Sequence, residues 1–157
     1  MSLAVPNDLR PAPTPHFSAV LETPAASPAE AIVHFASRLA FETDVSDLMA
    51  DLNKGNPEIV VIDTRSPKSF AECHIPGAIN LPRINAETAS QLARDEVFVV
   101  YCWGPACNGA TKGAMKLARL GFRAKELIGG IEYWRKEGGL VEGTLGTEAP
   151  MYWSIGA

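Results

Sequence analysis

Apolar residues along this chain recur with two periods. Ile32, Phe35, Ala36 and Leu39 lie three or four positions apart, the spacing of one face of a helix. Ser27-Pro28-Ala29-Glu30 precedes them as a capping box with proline at the first helical position. A helix is therefore predicted over 28–41. A shorter one is expected through Leu48, Met49 and Leu52, capped by Ser46 and ended by Gly55. The runs "EIVVIDTR" (58–65) and "VFVVY" (97–101) are continuously apolar for most of their length, as strands buried on both faces are. Between them, Pro67 opens a short helix through Phe70, "HIPGAINLP" (74–82) turns into a short strand, and residues 86–94 read as helical. A helix from Asn108 to Leu120 closes at Gly121, "AKELI" (124–128) reads as a strand, Gly129-Gly130 as a turn, and "IEYWRKEG" (131–138) as a last helix. This alternation predicts an α/β domain, a parallel sheet with helices on both faces.

The flanks read differently. Residues 1–26 carry Pro6, Pro11, Pro13, Pro15 and Pro24, too many fixed φ angles and missing donors for a helix or central strand. They read as an extended arm. Residues 27–42 then form an additional helix, 43–143 the main domain and 144–157 a tail. Met151, Tyr152 and Trp153 make that tail too apolar to be left in water. The helix and tail are expected either to pack on the body or to form a homodimer contact. No internal repeat is visible.

Length and composition narrow the function. The chain has 157 residues, about one domain. A formal net charge of −4 provides no basic face for nucleic acid or an anionic membrane. No apolar run approaches the ~20 residues of a membrane span, and residues 1–15 lack the charged and apolar regions of a secretory signal. Three cysteines in such a chain read as reduced thiols in the cytoplasm, not a disulfide framework. His16 and His34 are isolated, so neither a metal nor another cofactor is expected.

The chemistry concentrates at Cys102. It follows Tyr101 at the carboxyl end of a predicted buried strand, where ligands of open parallel sheets bind. A short loop, Trp103 to Cys107, separates it from a helix start. A tightly wrapped loop can point several N–H groups at one spot, and the helix adds its own unpaired amides. Such surroundings favour a thiolate over a thiol. They would also hold a negatively charged outer sulfur, suiting attack on a sulfur donor, a persulfide on Cys102 and transfer to an acceptor. The competing reading is a buried cysteine acting as a small hydrophobe.

These residues carry a resemblance. "VIDTRSPKSFAECHIPGAINLP", "VVYCWGPACNGA" and "LARLGFRAKELIGGIEYWRKEGG" resemble the single-domain rhodanese (thiosulfate sulfurtransferase-like) family over roughly 45–142. The family's Asp-x-Arg falls on Asp63 and Arg65, its Gly-His-Ile-Pro-Gly-Ala turn on Cys73 to Ala78, and its Gly-Gly and Trp on Gly129, Gly130 and Trp134. The resemblance implies a rhodanese-like parallel-sheet domain. Cys102 would carry the persulfide, cradled by the backbone of Trp103, Gly104, Ala106, Cys107 and Asn108. Asp63 and Arg65 would form an internal ion pair that fixes the loops. The implied partners are thiosulfate, a small thiol persulfide or a persulfide-bearing protein as donor, with a thiol or cyanide as acceptor.

Two departures matter. The family often places Arg or Lys in the loop, whereas Trp103-Gly104-Pro105-Ala106-Cys107 has no charge, and Lys112 is the nearest cation in sequence. A dianion such as thiosulfate is thereby disfavoured relative to a thiol persulfide. Cys107 is also unusual at its place. It is either incidental or a resolving thiol that closes a disulfide on Cys102. The sequence leaves two functions open: a sulfurtransferase working through Cys102, or a module regulated by redox change at Cys102 and Cys107. The phosphatase relatives of this fold need Cys-x5-Arg, whose arginine grips phosphate bidentately. Asn108 stands at that position.

Overall fold

The computed structural model describes residues 18–151. Pro6 to Pro15, His16, Tyr152 and Trp153, all features of the sequence reading, lie outside them. Two compact units divide between His34 and Phe35. Helix α1, Pro28–Phe41, crosses that division. Its start is the expected capping box: the Glu30 N–H donates to Ser27 Oγ, and Glu30 Oε2 accepts from the Ser27 N–H and hydroxyl. Within the second unit Phe35, Leu39 and Phe41 stay 57%, 74% and 66% exposed, so the end of this apolar stripe does not enter the core.

The second unit is built on a five-stranded sheet with every pair parallel. Its strands are β1 (Glu42–Thr43), β2 (Ile59–Asp63), β3 (Ile79–Asn80), β4 (Val97–Tyr101) and β5 (Arg123–Leu127), in the order β1-β5-β4-β2-β3. The helices that follow α1 are α2 (Val45–Asn53), α3 (Pro67–Glu72), α4 (Gly109–Arg119) and α5 (Gly130–Lys136). Strand side chains alternate between faces, which divides the core in two. Val61, Val99 and Tyr101 pack with Val45 and Leu48 of α2 and Ile131 and Trp134 of α5. Ile62, Phe98, Val100 and Cys102 pack on the other face with Ala110 and Leu117 of α4. Helices thus cover both faces. Alternation carries Cys102 to the α4 side.

Three local expectations change. Helix α2 is capped by Asp44, not Ser46: Asp44 Oδ1 accepts from the Asp47 N–H at 2.8 Å. The two-residue β1 pairs with Glu126 and Leu127 of β5, although its residues continue directly from a helix and show no strand pattern of their own. Residues 86–94 form turns, not a helix. There the Thr88 hydroxyl donates to the Arg83 carbonyl while Asn85 and Thr88 bond each other's backbone. The reciprocal Asn85–Thr88 bonds are those of a helix start, but the chain runs on as turns and no helix propagates from them.

Candidate active site

The site stands where β2 and β4 end side by side, Asp63 paired in register with Tyr101. Asp63 and Arg65 are both buried. The Arg65 guanidinium donates to both Asp63 oxygens, with Nη2 at 2.6 Å from Oδ2, and the Arg65 N–H reaches Oδ1 at 2.8 Å. Nη2 also donates to the Cys73 carbonyl. The Tyr101 hydroxyl donates to Asp63 Oδ2 at 2.6 Å and accepts from the Ile75 N–H. One ion pair thereby ties two strand ends to the Cys73–Ile75 turn. Burial opposes the charge on Arg65, but the Asp63 hydrogen bonds and carboxylate prevail and hold its pKa above the usual value. Burial, reinforced by the Asp63 charge, pushes the Tyr101 phenol well up.

From this frame the chain enters the cysteine loop. The Ile131 N–H donates to the Cys102 carbonyl and the Glu132 N–H to the Trp103 carbonyl, at 3.0 and 2.9 Å. Both acceptors are therefore committed to α5. In a trans peptide the N–H points opposite to the carbonyl of the same unit, and no cis peptide occurs among the described residues. The amides of Trp103 and Gly104 consequently point away from α5. The Cys107 N–H donates instead to the Gly104 carbonyl at 3.0 Å, so this amide does not belong to a free cradle. That turn doubles the chain back and leaves the Cα atoms of Cys102 and Cys107 6.4 Å apart, their sulfurs in bonding contact. Such a Cα separation is ordinary for a disulfide.

Gly109, the first residue of α4, completes the arrangement. Its N–H donates to Cys107 Sγ at 3.4 Å. A Cβ on Gly109 would stand 2.7 Å from Cys102 Sγ and 3.3 Å from Cys107 Sγ, so only glycine lets α4 start this close to the sulfur pair.

Cys102 and the five residues expected to cradle it line one cleft of about 610 Å³: Trp103, Gly104, Ala106, Cys107 and Asn108. Arg65 joins them, with its guanidinium carbon 4.8 Å from the Trp103 ring centre. Asp63 is fully buried and does not line the cleft; it bonds Arg65, which does. The cleft also holds Thr64, Glu132 and Met151, which the sequence reading missed. Glu132 was readable only as one polar residue of the last helix. It is ion-paired to Lys136 Nζ at 2.6 Å.

The remaining candidates are structural. Cys73 is buried and unbonded to other cysteines, and burial pushes its thiol up. His74 stacks on Phe70 with ring centres 3.9 Å apart and hydrogen-bonds the Phe70 carbonyl. Trp134 is core, its indole N–H on the Leu140 carbonyl. Its neighbour in sequence, Tyr133, is 41% exposed. No cluster of metal-ligating side chains occurs among the described residues, and none of their helices is long and apolar enough to cross a membrane.

Residues 44–137 match the rhodanese-like domain family. The chain belongs to that family. A solved structure, the BH2092 protein from Bacillus halodurans, is 53% identical and superposes with a TM-score of 0.80 over 82% of this chain and 96% of that one. An HTH-type transcriptional regulator from Mycobacterium tuberculosis is 36% identical over 83 residues, 52% of this chain and 36% of the regulator. A probable molybdopterin-synthase adenylyltransferase from Gracilaria tenuistipitata is 28% identical over 76 residues, 45% of this chain and 21% of that protein. This rhodanese-like chain thus corresponds to about a third or less of those two relatives. A thiosulfate sulfurtransferase from Pseudomonas aeruginosa, 23% identical with a TM-score of 0.56 over 69% of this chain and 21% of that one, shares the fold.

Proposed function

We propose that this rhodanese-like domain is a sulfurtransferase that carries a sulfane sulfur on Cys102. The observation that carries this reading is the position of Cys102 at the end of β4, beside a cleft and the start of α4, with Trp103 and Gly104 amides turned away from α5. In the reduced protein the Cys102 thiolate attacks the donor's sulfane sulfur, forming a Cys102–S–S⁻ persulfide and releasing the rest of the donor. A thiolate or cyanide then attacks the outer sulfur and returns Cys102 as thiolate.

The charges at the cleft select the donor. Arg65 is committed to Asp63, and Glu132 on the lining is ion-paired with Lys136. Neither helps a dianion, so a small thiol persulfide is the preferred donor over thiosulfate. The test is thiocyanate formation by the reduced protein with each donor and cyanide. Thiocyanate lost in Cys102→Ser supports the proposal. No thiocyanate above that variant's background, and no added sulfur by mass, defeats it.

A second reading is a redox module in which Cys102 and Cys107 merely open and close a disulfide. The contact between their sulfurs favours it. Disulfide formation under mild oxidant, with no persulfide from any donor, is its signature.

A further inference from the structure

Cys107 has surroundings that an incidental cysteine would not need. The turn closed by its N–H on the Gly104 carbonyl brings its Cα to 6.4 Å from that of Cys102. The Gly109 amide donates to its sulfur. The same glycine leaves open the space in which the two sulfurs meet, since a Cβ would press on both. Loop closure, amide and missing side chain thus converge on one encounter.

We infer that Cys107 is a second catalytic residue, which discharges the Cys102 persulfide by attack on its inner sulfur. The inference rests on the persulfide reading above and adds a product to it. The Cys107 thiolate bonds to Cys102 Sγ as the bond from that atom to the outer sulfur breaks. The persulfide Cys102–S–SH and Cys107–S⁻ become the Cys102–Cys107 disulfide and HS⁻. The outer sulfur is reduced to hydrosulfide, and the two cysteine sulfurs are oxidised to the disulfide. Two molecules of a low-molecular-weight thiol then reduce the disulfide, leaving as their own disulfide and restoring both cysteines. The domain in this mode is a persulfide reductase that yields free hydrosulfide, and the bridged loop is its resting product. Sulfur transfer to an external acceptor competes with this step.

A single-turnover experiment decides. Reduced full-length protein receives one equivalent of a small thiol persulfide, with no acceptor added, and is followed by hydrosulfide assay and intact and peptide mass. The parent is expected to release about one hydrosulfide per chain and to end with Cys102 and Cys107 peptides linked. Cys107→Ser and Cys107→Ala are expected to keep the added sulfur on Cys102, with hydrosulfide falling to the Cys102→Ser background. Retained sulfur in either variant also reports that its site is folded. Release by both variants at the parental rate, or a parent that keeps its persulfide as long as they do, overturns the inference. If neither parent nor variants ever acquire a sulfur or release hydrosulfide, the sulfurtransferase reading falls with it.

Discussion

At the scale of single residues, Asp63 governs more of the site than any group that touches the cleft. It holds the Arg65 guanidinium, and through it the Cys73 carbonyl, and it accepts from Tyr101. Asp63→Ala leaves Arg65 buried without its counter-charge, and is expected to cost about 3–5 kcal/mol, measured by urea unfolding. Glu132→Gln removes a negative charge from the cleft lining and is expected to raise thiosulfate use relative to thiol persulfide. Equal donor ratios in parent and variant would refute that electrostatic account. The Asp63–Arg65 pair was legible through the family resemblance, whose Asp-x-Arg falls on these two residues. The part played by Tyr101 was not, since its hydroxyl ends a run that otherwise reads as core. Tyr133 and Trp134 are adjacent in sequence and differ in fate because a helix turns neighbours about 100° apart.

At the scale of elements, the cysteine loop is shaped by a strand end and two helix starts. Gly130 has φ +56°, and a Cβ there would stand 2.5 Å from the Cys102 carbonyl oxygen. Gly130→Ala is therefore expected to displace the loop from α5. The assay is the alkylation rate of reduced Cys102 together with thiocyanate turnover, and both should drop while the remaining sheet persists by circular dichroism. Unchanged values would mean that α5 does not set the loop. Long or sharply capped elements were readable: α1 from its capping box, β2 and β4 from their apolar runs, α4 from its glycine stop. Elements determined by partners were not: β1 exists because β5 offers an edge. Residues 86–94 begin with reciprocal Asn85–Thr88 bonds of the kind that start helices, yet continue as turns. The cleft was legible as a loop between Cys102 and Asn108, whereas Met151 and Thr64 reach it from other stretches of chain, which no local pattern records.

At the scale of the molecule, pH sets a limit on stability. Burial pushes up the Cys73 thiol, and burial with the Asp63 charge pushes up the Tyr101 phenol. Each native group keeps its proton where the unfolded chain has released it. The unfolded state then binds fewer protons, so stability is whole below about pH 8.5 and falls as pH climbs past about 8.5 for the thiol and about 10 for the phenol. Each group contributes a slope of at most about 1.4 kcal/mol per pH unit. Urea midpoints of the oxidised protein from neutral to alkaline pH should show the decline, and Cys73→Ala should remove its first part. The division of the core into two faces has another effect. Ile131 and Trp134 root α5 on the face opposite Cys102, while the amides of the same helix grip the loop carrying that sulfur. Damage around Trp134 is accordingly expected to reach the cysteine loop through α5.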